Sequence, residues 1–102
     1  MTNKTVEFDQ VCVEKKLKEH QLNHLKVSKR GNRITIYSEY EGIKENRCRF
    51  TNIASKKYIL DMANHTGKWE PTPFEGSVAD LLEMLIEQFP WMLTNYDEDS
   101  TM

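Results

Sequence analysis

The sequence predicts a single α+β domain: an antiparallel four-stranded meander with two helices packed on one face, in the order α-β-β-β-β-α. Three observations predict it. Residues 25–63 alternate apolar and polar positions in four runs separated by turn residues, the period of half-buried strands. Val78, Leu81, Leu82, Leu85, Ile86 and Phe89 follow the i, i+3, i+4, i+7 spacing of an amphipathic helix. A weaker helical stripe precedes the strands. A sheet with one apolar face needs a cover, and two helices on that face supply it.

The first helix is expected over residues 6–22, VEFDQVCVEKKLKEHQL, with Phe8, Val11, Cys12 and Leu22 inward and Lys15, Lys16, Lys18 and Glu19 mostly outward. LKVSK and RITIYSEY then read as a hairpin. A tight turn on Gly31-Asn32 pairs Val27 with Ile36, keeping both on one side of the sheet. In RCRFTNI, residues 47–53, Cys48 and Phe50 face inward. Joining that face to Ile34 and Ile36 requires an odd loop or a bulge, for which Gly42 is well placed. In KYILDMA, residues 57–63, Tyr58, Leu60 and Met62 share a face, and a connection around Ala54-Ser55-Lys56 sets Phe50 opposite Leu60.

HTGKWEPTPFEG, residues 65–76, is expected to be a stiff connection rather than a strand. Pro71 and Pro73 restrict the chain, and Gly67 and Gly76 supply bends on either side. It reads as a strut that holds Trp69 and Phe74 and aims the next helix at the core. The alternative is a binding loop built on His65, Trp69 and Phe74. Ser77 is a natural N-cap, Asp80 lies three residues beyond it, and Pro90 stops the helix. The ends, about 1–5 and 96–102, are expected to be flexible, the last an acidic tail.

The composition, with 38% hydrophobic and 29% charged residues in 102, is that of a soluble globular protein with one core. No apolar run approaches the ~20 residues of a membrane span, and the opening MTNKTVEFDQ lacks signal-peptide features. A cytosolic location is therefore expected. Cys12 and Cys48 are expected to be reduced and buried, since two cysteines without a C-x-x-C do not form a disulfide framework. Net charge is −2, but unevenly laid out. Residues 26–57 carry nine basic and three acidic side chains, whereas residues 69–102 carry eight acidic and no Lys or Arg.

Catalytic and metal chemistry find little support. His20 and His24 have the spacing of two ligands on one helix face, but no H-E-x-x-H surrounds them and Cys12 is too distant to join them. No metal or cofactor is implied. Glu83 and Glu87 fall on the solvent side of a helix, and alternation makes Asp61 a solvated carboxylate opposite the Leu60 face. An enzyme, with His65 and Asp61 as its least implausible participants, ranks third.

Two binding readings rank higher. The sheet face opposite the core is expected to carry Arg33, Thr35, Tyr37, Arg47, Arg49 and Thr51, pairing arginines for phosphates with an aromatic for base stacking. The order of helix, antiparallel strands and helix resembles the double-stranded-RNA-binding domain, which implies RNA as a partner. That family's basic signature at the start of its second helix is absent, and here the helix is acidic. The leading reading is a non-catalytic interaction or regulatory module that binds a protein partner, or a second copy of the chain. Asp80, Glu83 and Glu87 form its outward acidic stripe, and Trp91 and Leu93 its apolar extension in FPWML. The competing structural role for Trp91 and Leu93 is to fold back and close the core edge.

Overall fold

Cross-strand pairing of Val27 with Ile36 sets the register from which the sheet is built. In the computed structural model, which describes residues 4–64 and 66–93, β1 (Leu25–Arg30) and β2 (Arg33–Tyr40) meet in that register through a turn on Gly31-Asn32. Gly31 has φ +60° and Asn32 does not have positive φ, the pattern of a type II′ hairpin turn. β3 (Ile43–Ala54) and β4 (Lys57–Ala63) follow antiparallel, with Phe50 opposite Leu60 as expected. α1 (Lys4–Glu19) precedes the sheet and α2 (Val78–Gln88) follows it, ahead of a 3₁₀ turn at Pro90–Leu93. One sheet face is lined by Ile34, Ile36, Cys48, Phe50, Tyr58 and Leu60. They form a core with Val6, Val13 and Leu17 of α1 and Val78, Leu81, Leu82 and Leu85 of α2.

Among the described residues the sheet has five strands, not four. WEPTPFEG, expected to be a strut, is β5 (Trp69–Gly76), paired antiparallel to β4 at the end of the order β1-β2-β3-β4-β5. An edge is where a strand tolerates proline, because one row of N–H groups has no partner to lose. The pairing shifts register between Ile59 and Asp61, where residues 72–74 of β5 stand against Leu60 alone. Thr72 Oγ1 donates to the Leu60 carbonyl at 2.8 Å, capping an acceptor near Pro73, which has no N–H to offer.

The predicted parity correction between β2 and β3 occurs, but not at Gly42. Glu41 and Gly42, with φ +53° and +81°, make a regular two-residue turn of type I′. That turn alone would set Ile36 opposite Arg47. The register instead pairs Ile36 with Cys48 and Tyr37 with Asn46, leaving Arg47 as the extra residue of a bulge. Burial of Cys48 and Phe50 is the physical reason, since a one-residue slip would turn both outward.

α1 is the main correction to the sequence reading. It buries Val6, Val13 and Leu17; of the expected stripe, Cys12 and Leu22 pack partly buried against the core, whereas Phe8 is 75% and Val11 58% exposed. The buried side also brings Asp9 within reach of the core. Tyr58 Oη donates to Asp9 Oδ2 at 2.7 Å, which satisfies a hydroxyl that the sheet alone would leave unpaired. The helix ends three residues before the predicted boundary in a Schellman arrangement. Leu22 N–H bonds the Leu17 carbonyl at 2.8 Å and Gln21 N–H bonds that of Lys18 at 3.0 Å, with Gln21 at φ +60°.

α2 matches its prediction. Ser77 Oγ accepts from the Asp80 N–H at 3.1 Å, and Val78, Leu81, Leu82 and Leu85 are buried. No helix among the described residues is long and apolar enough to cross a membrane. The expectations for the two chain ends and for His65 concern residues outside the described ones, apart from the start of α1 at Lys4.

Candidate interaction surfaces

The acidic ridge of α2 and the residues after it divide into two parts. Asp80, Glu83 and Glu87 are exposed along one side of the helix, as expected from the spacing. Glu83 is joined by Lys16 of α1 at 3.3 Å, so the ridge is partly balanced from the neighbouring helix. In the 3₁₀ turn, Leu93 is 2% exposed and belongs to the core, the structural role weighed for it from the sequence. Trp91 points the other way and is 59% exposed.

The backbone that carries Trp91 is tied down on both sides. Arg47 Nη1 donates to the Met92 carbonyl at 3.1 Å, and its Nε and Nη2 donate to Ser38 Oγ at 3.2 and 3.0 Å. His24 Nε2 lies 2.7 Å from the Leu93 carbonyl, and because a carbonyl only accepts, that nitrogen carries the proton. The indole packs edge-on against Phe89 with centroids 5.4 Å apart, and Phe89 packs against Phe74 of β5 at 5.9 Å. Beside Trp91 lies a cleft of about 730 Å³ between β3, the β4–β5 connection and the 3₁₀ turn, lined by Ile43, Arg47, Asn64, Trp91 and Met92 among others. Ile43 is exposed, and so is its cross-strand neighbour Tyr40, which extends the apolar surface along the β2–β3 hairpin.

Comparison with protein-family models, with characterised proteins and with solved structures returned no match. The reading of this chain therefore rests on its surfaces.

The open sheet face differs from its expected form. Arg47 is buried and turned to the helical side, a consequence of the bulge that no local signal announced. Arg49 remains on the open face but is committed twice. Its Nη2 and Nε donate to Asp61 Oδ2 at 2.9 and 3.2 Å, and its guanidinium lies 4.4 Å from the centroid of Trp69. Asp61 is thus buried and paired, not the solvated carboxylate expected, because β5 covers it with Pro71 directly opposite. Tyr37 is capped by Lys44 at 4.4 Å from its ring, and Arg33 is exposed. Of the loop candidates, Trp69 and Phe74 are half-buried members of β5.

His20 and His24 are not on one helix face, since α1 ends at Glu19 and His24 reaches toward Leu93. No group of three or more His, Cys, Asp or Glu suited to a metal ion occurs among the described residues. Both cysteines are free, Cys48 fully buried and Cys12 partly so. Burial pushes the Cys48 thiol up to about 12, with the positive charge of Arg47 pulling weakly the other way. Such a thiol is a core side chain rather than a nucleophile. Sequence reasoning missed Phe8 and Val11 as surface residues. The only signal was the second apolar stripe, Val6–Val13–Leu17, on the opposite side of α1.

Proposed function

We propose that this chain is a small cytosolic, non-catalytic interaction module that docks a protein partner through Trp91 and the acidic ridge of α2. The observation that carries the reading is an exposed indole on an immobilised backbone. An aromatic anchor loses little conformational entropy on binding when its main chain is already held, and tryptophan is enriched among the residues that dominate binding energy. Ile43 and Tyr40 extend the apolar centre, while Asp80 and Glu87 offer a charged rim that selects a basic partner surface. Two free cysteines are compatible with a reducing compartment.

Nucleic-acid binding by the open sheet face draws less support, because Arg47 is internal and Arg49 is neutralised by Asp61. The test is affinity recovery of partners with wild type, Trp91→Ala and Glu83→Lys/Glu87→Lys, each with and without nuclease. The proposal expects a nuclease-resistant protein partner that both variants lose while their melting temperatures stay near wild type. Recovery that vanishes with nuclease, or that both variants retain, would reject it.

A further inference from the structure

The two edges of the sheet are built differently. β5 carries Pro71 and Pro73, which remove donors and protect that edge from pairing. β1 contains no proline, and among the described residues no strand pairs with its outer side. The two-residue hairpin makes Arg30↔Arg33 a hydrogen-bonded pair, and the antiparallel pattern repeats at Ser28↔Thr35 and Lys26↔Tyr37. The main-chain groups of Val27 and Lys29 therefore point away from β2. The Leu25 N–H is already bonded to the Leu22 carbonyl at 3.1 Å, so the available row begins at the Leu25 carbonyl.

Beside this edge runs a cleft of about 450 Å³ between β1 and α1, lined by Leu17, Lys18, Leu22, Leu25, Val27 and Tyr37 among others. Its lining is mixed, with Leu17, Leu22, Leu25 and Val27 beside Glu14, Lys18, Asn23 and Lys26. Its surroundings are basic: Lys18, Lys26, Lys29 and Arg30 stand against Glu14, in the cleft wall, and Glu39, which pairs with Lys26 at 3.1 Å.

We infer that the outer edge of β1 is a strand-addition site for an extended acidic peptide of another protein. Main-chain bonds to Val27 and Lys29 supply the register, alternate apolar side chains lie on the α1 side with Leu25 and Val27, and the acidic side chains between them fall on the open face beside Lys26 and Arg30. A second copy of this chain is disfavoured on the same surface. Two β1 edges brought together would set Lys26, Lys29 and Arg30 against their own equivalents, the device by which natural edge strands avoid self-pairing. The site is separate from the Trp91 surface and does not depend on it.

The probe is an end-blocked synthetic octapeptide of alternating valine and glutamate, with the valine–lysine counterpart as control, titrated into the isotope-labelled full chain. Expected are saturable amide shifts and slowed hydrogen exchange at Val27 and Lys29 with the acidic peptide only. Lys26→Glu/Arg30→Glu should weaken it by roughly tenfold or more, a loss of main electrostatic contacts. Lys29→Pro, which deletes an outward donor and no β1–β2 bond, should abolish the protection at Val27. Trp91→Ala should change nothing here, so the two surfaces fail or succeed separately. β1 amides unmoved by excess acidic peptide would overturn the inference, as would equal binding of the basic peptide or concentration-dependent self-association through β1. Should Lys29→Pro not fold, the charge-reversed variant, whose backbone ladder is intact, decides alone.

Discussion

Arg47 reaches from the β3 bulge to the C-terminal turn and donates to the carbonyl of Met92 at 3.1 Å. A single arginine thereby joins the β2–β3 bulge to the segment that presents Trp91. Its guanidinium also holds Ser38, so it is a buried cation whose hydrogen bonds fix a direction for the chain after α2.

Arg47→Met keeps the aliphatic stem and removes the charge. It leaves Ser38 and the Met92 carbonyl short of a donor, and should destabilise the fold by about 2–4 kcal/mol. Urea denaturation measures the loss. In a Trp69→Phe background, the fluorescence anisotropy of Trp91 should fall as well. Unchanged anisotropy would mean that the 3₁₀ turn is held by Leu93 and His24 without help from Arg47.

The Arg49–Asp61 pair sits beneath β5, with both side chains largely screened from water. Asp61→Asn should cost about 1–3 kcal/mol, chiefly because it leaves a desolvated guanidinium without its counter-charge. A cycle with Arg49→Met separates pairing from packing. The double variant should be more stable than the two single losses would sum to.

Gln21 occupies the left-handed position that ends α1, at φ +60°. Glycine adopts this conformation without a Cβ clash, so Gln21→Gly should stabilise the protein by about 0.5–1 kcal/mol. Thermal unfolding reads the gain. A loss of stability would indicate that the Gln21 side chain contributes contacts exceeding the backbone relief.

Alkaline pH should weaken the fold. The Cys48 thiol rises from 9.0 to about 12 in the folded state because burial disfavours the thiolate, and burial with the adjacent Asp9 raises the Tyr58 phenol in the same direction. Both groups keep protons in the native state that the unfolded chain releases, so their contribution is complete below about pH 9 and is lost as pH rises through the folded values. Melting temperatures at about pH 8 and about pH 10 should differ, and Cys48→Ala should flatten that difference. Native-state thiol labelling should be slow at Cys48 and faster at the partly exposed Cys12.

The sequence by itself determined the elements whose local signals agree with their packing. In α2 the Ser77 cap, the apolar spacing and Pro90 all specify the same helix, and in β1–β2 the turn pair and the alternation specify the same register. Nothing local, by contrast, distinguishes the two apolar stripes of α1. The choice came from Leu17 reaching the core and from Tyr58 needing a hydrogen-bond acceptor, both of which require the sheet to be in place. The prolines of WEPTPFEG disqualify it as a central strand, and only its position outside β4 makes it an acceptable edge. Arg47 follows the same logic. Alternation alone puts it on the open face with Arg49. Burial of Cys48 and Phe50 forces the bulge, and the bulge swings the guanidinium to the helical side where Met92 and Ser38 receive it. Periodicity records which side of a segment is apolar, but the competition between segments for one core is settled only when they are packed together.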